Sequence, residues 1–201
     1  MASFDYTELI KEHFFNPRNF LKNDADGAEF IKNADCYGEV GNPVCGDVMK
    51  IWLKIDREND KIIDCRWQTF GCVAAIAVTS MLSVMLKEGS GMSINSALEL
   101  TPQKIVEKLG AIPPKKFHCA VLGNEALKSA LNNYFRKTGQ FDRIIPIGPD
   151  LLDEKLKLTH KEVKDWIRNG AKSFEEIEAR VGTKIENPET KAKIELLLKN
   201  N

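Results

Sequence analysis

The sequence predicts an α+β fold: a small, mainly antiparallel sheet with packed helices, followed by a small all-helical C-terminal module. Three observations carry this. Residues 48–55 and 61–68 alternate apolar and polar side chains on either side of "REND", Arg57 to Asp60, which reads as a hairpin. The run "VAAIAVTSMLSVMLKEG" after Gly71-Cys72 is apolar around most of its circumference, as in a helix buried on several sides. Beyond "TGQFDRIIPIGPD" cysteine disappears, and short charged segments with helix-start signals take over.

In chain order, residues 5–15 form a first helix by periodicity, with Phe4, Leu9, Ile10, Phe14 and Phe15 on one stripe and Asn16-Pro17 as its stop. Residues 20–42 are rich in Gly, Asn and Asp, which predicts mostly loop with a short strand. Thr101-Pro102 places an N-cap before a proline at the first helical position, for a helix to about Leu109. "AIPPKKFHC" is a rigid extended link that delivers Cys119 to the start of a helix from about Ala120 to Lys137. The expected core of this domain, residues 1–145, includes Ile51, Leu53, Ile55, Ile63, Phe70, Ile76 and Leu82.

In the module at 150–201, Thr159-x-x-Glu162 and Ser173-x-x-Glu176 are capping-box patterns, and Asn187-Pro188 is a third helix start. Its expected core is Leu158, Val163, Trp166, Ile167, Phe174, Ile177, Val181, Ile194 and Leu197.

The 201 residues carry 29 basic and 29 acidic side chains. That balance argues against nucleic acid as the main partner, because phosphate binding needs a basic excess. No apolar run reaches the roughly 20 residues that span a bilayer, so no membrane partner is expected. The opening "MASFDYTELIKEHF" is acidic and lacks a long apolar stretch, which points to a cytoplasmic protein. Five cysteines, with no CxxC among them, speak against a disulfide framework.

Cys45 stands at a strand entrance, and Cys72 and Cys119 stand at helix starts, where the partial positive charge of the helix end favours thiolate. Gly46 and Gly71 leave room for a bulky group. The fourth donor is Asp47 or His118. Three thiolates with one oxygen or nitrogen donor suit zinc or an iron–sulfur cluster. The spacings of 27 and 47 residues match no zinc-finger pattern, so the residues alone leave a metal site and ordinary buried cysteines both open. Cys36 and Cys65 are read as packing residues, Cys65 in phase with Ile63 and Trp67.

Four stretches, "YTELIKEHFFNPRN", "GNPVCGDVMKIWLKI", "IIDCRWQTFGCVAAIAVTS" and "IPPKKFHCAVLGNEALKSAL", resemble, in the same order, the NifU/IscU-type iron–sulfur cluster assembly scaffolds. The resemblance covers about residues 5–137. It implies that Cys45, Cys72 and Cys119 are cluster ligands. It places Asp47 at the family aspartate that governs cluster lability and can ligate, and His118 at a further ligand position. It implies iron and a [2Fe–2S] cluster, sulfur supplied by a pyridoxal-phosphate cysteine desulfurase, and client apoproteins that receive the product. The chain is then a carrier and not an enzyme in the narrow sense, with Cys119 expected as first persulfide acceptor and a homo-oligomer as an open arrangement.

Zinc fills the same donor set, so a structural zinc-binding protein is the alternative. A thiol-nucleophile transferase is the third reading; its only base would be His118, and no motif supplies a substrate pocket.

Three departures stand out. Ile112-Pro113-Pro114-Lys115-Lys116 replaces the family's leucine-proline-proline-valine-lysine, which puts an Hsp70-type chaperone partner in doubt. "GCVAAIAVTS" is bulkier than the usual glycine- and serine-rich version. The tail "LTHKEVKDWIRNGAKSFEEIEARVG" resembles the helical BFD-like [2Fe–2S] domain, yet has no cysteine near Asp153–Lys155 or Glu186–Glu189. It is expected to be a cluster-free contact module.

Overall fold

The computed structural model describes residues 6–42 and 46–200. The chain begins with α1 (Glu8–Phe15), α2 (Asp24–Lys32), β1 (Cys36–Asn42), β2 (Asp47–Asp56) and β3 (Lys61–Phe70). It continues with α3 (Val73–Leu86), β4 (Met92–Ser93), α4 (Ile94–Leu98), α5 (Pro102–Lys108) and α6 (Phe117–Thr138). The strands form one antiparallel sheet in the order β1-β2-β3-β4. Its inner face presents Val40, Met49, Ile51, Leu53, Cys65 and Trp67, all buried beneath α3 and α6. Helix α6 lies so close on β1 that a Cβ at Gly38 would fall 2.3 Å from the Ala130 amide nitrogen.

Several sequence expectations meet a different outcome. Residues 20–42 hold a nine-residue helix and a seven-residue strand where mostly loop was expected. The strand's alternation is hidden because Gly38 makes way for α6 and Glu39 is a buried charge. In β3 the register steps from Lys54↔Asp64 to Ile55↔Ile62, so Ile63 is the extra residue of a β-bulge. The phase flips there: Ile62 is fully buried, and Ile63, expected in the core, is 47% exposed. Phe70, also expected in the core, is 83% exposed at the strand's end. The proline-rich link closes in a 3-10 turn at Pro114–Lys116 and α6 starts at Phe117, so Cys119 sits inside the first helical turn.

Past residue 145 the chain forms a short antiparallel ladder, β5 (Leu151–Asp153) with β6 (Leu158–Thr159), then α7 (His160–Arg168), α8 (Phe174–Val181) and α9 (Pro188–Lys199). The ladder adds to the helices expected there; strands of two or three residues are too short to show alternation. Thr159 and Glu162 close a full capping box, with Thr159 Oγ1 accepting from the Glu162 amide at 3.2 Å and Glu162 Oε2 accepting from the Thr159 amide at 3.0 Å. Ser173 caps Glu176 in the same way, but the Glu176 carboxylate accepts from the Lys172 amide at 2.9 Å and not from the cap residue. Asn187 caps α9 through its side-chain oxygen.

This segment has its own apolar cluster around Leu158, Val163, Trp166, Ile177, Val181 and Ile194. It is fastened to α6 and β1 by buried polar contacts. The guanidinium of Arg136 on α6 pairs with Glu162 at 3.1 Å, with the side chains only 1% and 2% exposed. Arg136 also donates to the Leu156 carbonyl at 2.9 Å. The Trp166 indole donates to the Glu39 carbonyl at 3.2 Å, and Asn133 donates to the Arg180 carbonyl at 2.9 Å. Removing one partner of such a buried pair costs about 3–5 kcal/mol, because a bare charge remains inside. Among the described residues, no helix is long and apolar enough to cross a membrane.

Candidate metal centre

Three element ends meet at one rim. Asp47 is the first residue of β2 and shares the inner-face phase of Met49 and Ile51, which turns its carboxylate toward the helices; it is 4% exposed. Cys72 is the N-cap of α3, and Cys119 lies in the first turn of α6. Asp47 Oδ1 accepts from the Cys72 amide at 3.3 Å, so the carboxylate satisfies one of the orphan donors at the α3 N-terminus. Gly71 is needed for this approach: a Cβ there would lie 2.9 Å from Ala75 Cβ and 3.1 Å from Asp47 Oδ1. Gly46 supplies the left-handed step before Asp47, with φ of 71°.

The sulfurs of Cys72 and Cys119 stand 3.7 Å apart, and Asp47 Oδ2 lies 3.9 Å from the first and 3.8 Å from the second. A tetrahedral ion with metal–sulfur bonds of about 2.3 Å holds neighbouring sulfurs about 3.8 Å apart. The thiols therefore already have the spacing that such an ion requires. His118 joins them: ligand atoms of Asp47, His118 and Cys119 all lie within 4.8 Å of one another. Its Nε2 is buried and has no hydrogen-bond partner among the described residues. A histidine beside one sulfur and a carboxylate, with a buried nitrogen left unpaired, fits a metal-bearing group.

Electrostatics divide the two thiols. Cys72 is pushed down to about 5, first by the hydrogen bond from Cys119, then by the Ala75 amide at the α3 N-terminus and the Lys116 ammonium. Cys119 is pushed up, first by its hydrogen bond with Cys72, then by desolvation and by the Cys72 and Asp47 charges. Lys116 is raised chiefly by the Cys72 thiolate, and the Tyr6 hydroxyl by burial and then by the same charge.

Of the residues the sequence singled out, Asp47, Cys72, Cys119 and His118 converge here, while Cys45 falls outside the described residues. Cys36 and Cys65 flank Leu53 across the strands, at most 1% exposed, with no part in the centre. Cys119, expected as the first sulfur acceptor, is fully buried beside the half-buried Cys72. Two contributors were missed. Lys116 stood legibly one residue before α6; Tyr6, far off in sequence, carried no signal.

A family model described as the NifU-like N terminal domain matches residues 5–141. The iron-sulfur cluster assembly scaffold protein IscU 1 of Archaeoglobus fulgidus is 42% identical over 152 residues, spanning 76% of this chain and 91% of its own length. The iron-sulfur cluster assembly scaffold protein IscU of Aquifex aeolicus is 44% identical over 153 residues, spanning 76% of this chain and 90% of its own. The nitrogen fixation protein NifU of Azotobacter chroococcum is 38% identical over 164 residues, which is 82% of this chain and 48% of that protein.

Proposed function

Because the chain belongs to the NifU-like N-terminal-domain family, we propose that it is a scaffold on which a [2Fe–2S] cluster is assembled and from which it passes to client apoproteins. The observation that carries this reading is the convergence of Cys72, Cys119 and Asp47 within 3.9 Å, with a ligand atom of His118 within 4.8 Å of Asp47 and Cys119. Cys45, at the family's remaining ligand position, completes the thiolate set.

Sulfur enters by exchange. Having passed its proton to the neighbouring Cys72 sulfur, Cys119 attacks the outer sulfur of a persulfide on a cysteine desulfurase, a new S–S bond forms on Cys119, and the donor's thiolate leaves. No electrons are gained or lost in that step. Conversion of each sulfane sulfur to bridging sulfide consumes two electrons from an external low-potential one-electron donor. The cluster is cargo, so the chain acts as a carrier. A carboxylate is a hard ligand on a soft iron–sulfide centre, and its exchange opens the route by which the cluster leaves.

Iron, zinc and acid-labile sulfide analysis of the anaerobically purified and reconstituted protein tests the reading. Equal iron and sulfide with thiolate-to-iron absorption is the expected result. Zinc alone, with no sulfide after reconstitution, would overturn it in favour of a structural zinc site. Incubation with a desulfurase and cysteine, followed by mass mapping, should place the first persulfide on Cys119.

A further inference from the structure

The outer face of the sheet carries a cavity of about 400 Å³, the size of a small-molecule site. Glu39 of β1 and Lys50 of β2 stand opposite each other in register, with the phase opposite to that of the inward Val40 and Met49, and both line it. Phe20, Val48 and Phe70 give it apolar walls, and Asn169 joins the lining from just past α7. Phe70 is exposed and has no ring partner among the described residues.

Three polar groups of this lining lack a partner among the described residues. Glu39 is 2% exposed. Its Oε2 accepts from the Tyr37 hydroxyl and from Arg180 Nε at 3.4 Å, but its Oε1, also buried, accepts nothing. The Asn169 Nδ2 is buried and donates to nothing. Lys50, half-buried, makes neither an ion pair nor a hydrogen bond, although a carboxylate stands directly across the strands. Opposite charges placed so usually stabilise each other. Buried donors and acceptors left unmade cost stability unless something supplies the missing bonds.

The chemistry of the lining defines what would supply them. Glu39 Oε1 calls for a donor, best a cation. Asn169 Nδ2 and Lys50 call for an acceptor, best an anion. The walls call for an apolar body. A metal ion meets only the first demand, and a phosphate only the second. We propose that this cavity binds a free α-amino acid with an apolar side chain: its ammonium on Glu39, its carboxylate between Lys50 and Asn169, its side chain against Phe20, Val48 and Phe70. Solvent reaches neither Glu39 Oε1 nor Asn169 Nδ2. The carboxyl and carboxamide groups therefore turn toward the ligand as it enters, a side-chain adjustment common on binding. Val48 follows Asp47 with the opposite phase, so the cavity backs onto the metal centre without sharing a ligand with it.

The test titrates the full-length protein with L-phenylalanine and L-leucine, followed by calorimetry and by ligand-observed NMR. At least one should bind at one site per chain with a Kd of about 1 mM or tighter. Phenethylamine, which lacks the carboxylate, and phenylacetate, which lacks the ammonium, should each bind about tenfold or more weakly than phenylalanine. Lys50→Met should weaken phenylalanine by a similar factor and leave phenethylamine unchanged. That comparison needs no Glu39 variant, which would also unpair Arg180. No saturable binding of either amino acid up to about 20 mM overturns the inference. So does a Lys50→Met chain that binds phenylalanine as wild type does. Analogues that bind as well as phenylalanine would overturn it in favour of an apolar cavity without polar recognition. N-acetyl-phenylalanine amide binding more tightly than phenylalanine would overturn it in favour of a peptide segment of a partner protein.

Discussion

Cys72 and Cys119 are 47 residues apart in the chain, and their sulfurs are 3.7 Å apart in the fold. Either sulfur can donate the proton they share, while the Ala75 amide and the Lys116 ammonium draw Cys72 down. Reactivity should follow this division. At about pH 6 iodoacetamide should label Cys72 ahead of the other described cysteines, since it is the half-buried one and is held below the ordinary thiol range. Cys65, pushed up to about 12 by burial, and Cys36, pushed higher still, should stay unlabelled until the chain unfolds. Peptide mapping by mass reads this directly, and Cys119 labelling first would reverse the assignment.

Gly71 is the residue that lets Asp47 reach the α3 N-terminus. Gly71→Ala puts a methyl 2.9 Å from Ala75 Cβ and 3.1 Å from Asp47 Oδ1. The expected cost is about 1–3 kcal/mol of stability from overpacking. Metal affinity should fall by about tenfold or more, because the carboxylate is displaced from the sulfurs. Urea unfolding and a cobalt titration on the same sample separate the two effects. Normal affinity would show that Asp47 does not need this approach.

The ligand set should act as a unit. Serine at Cys45, Cys72 or Cys119 should each abolish stable reconstitution. Serine at Cys36 or Cys65 should leave iron and sulfide nearly unchanged, and should cost about 1–3 kcal/mol in urea for a buried hydroxyl without a partner. Asp47→Ala should give a longer-lived cluster, followed as visible absorbance against a chelator; faster bleaching than wild type would contradict the role of the carboxylate in release.

How much of this was legible beforehand follows from what each residue signals locally. Hairpin β2–β3, helix α3 and the three capped helices of the tail announce themselves through alternation, apolar runs and cap residues, and they form where expected. Helix α2 and strand β1 do not. Gly38 is dictated by α6 overhead, and Glu39 is buried because Arg180, 141 residues on, pairs with it at 3.4 Å. Such features are tertiary and leave no periodic trace. Ile63 went astray for a similar reason, since one bulged residue reverses the phase of a strand. At the centre, the cysteines, Asp47 and His118 were readable as residue types at element ends. The electrostatic difference between the two thiols was not, because it depends on Lys116, Ala75 and Asp47 meeting in space.

His13 should impose an acid limit on stability. It is 4% exposed, and its Nδ1 lies 2.8 Å from Ser80 Oγ, which itself accepts the Arg18 amide at 2.9 Å. Burial first, then the Arg18 charge, holds the imidazole pKa below the ordinary value. The unfolded imidazole protonates at about pH 6.5, before the folded one does, so this contribution is intact above that pH and is lost as pH falls toward the folded value. Urea midpoints should drop between about pH 7.5 and about pH 5.5, and His13→Gln should remove that part of the slope.

The C-terminal segment can be removed without touching a ligand, but not without consequence for α6. A chain ended at Ile147 keeps Asp47, Cys72, His118 and Cys119, and retains the larger apolar cluster beneath the sheet. It should still assemble one cluster with unchanged iron-to-sulfide stoichiometry. It also loses Glu162, the partner of an Arg136 side chain that is 1% exposed, together with the Leu156 and Lys157 carbonyls that Arg136 donates to. Unpairing that cation should cost about 3–5 kcal/mol in whatever part of the structure stays closed around it. The truncated chain should therefore unfold at lower urea than the full chain. Arg136→Met in the truncated chain should recover part of the difference, because an apolar side chain needs no counter-charge. Iron, sulfide and urea measurements on the full, truncated and truncated Arg136→Met chains decide the point. A truncated chain as stable as the full one would mean that Arg136 simply turns out to solvent. A halved cluster content would mean that the tail, despite having no cysteine, holds a cluster of its own.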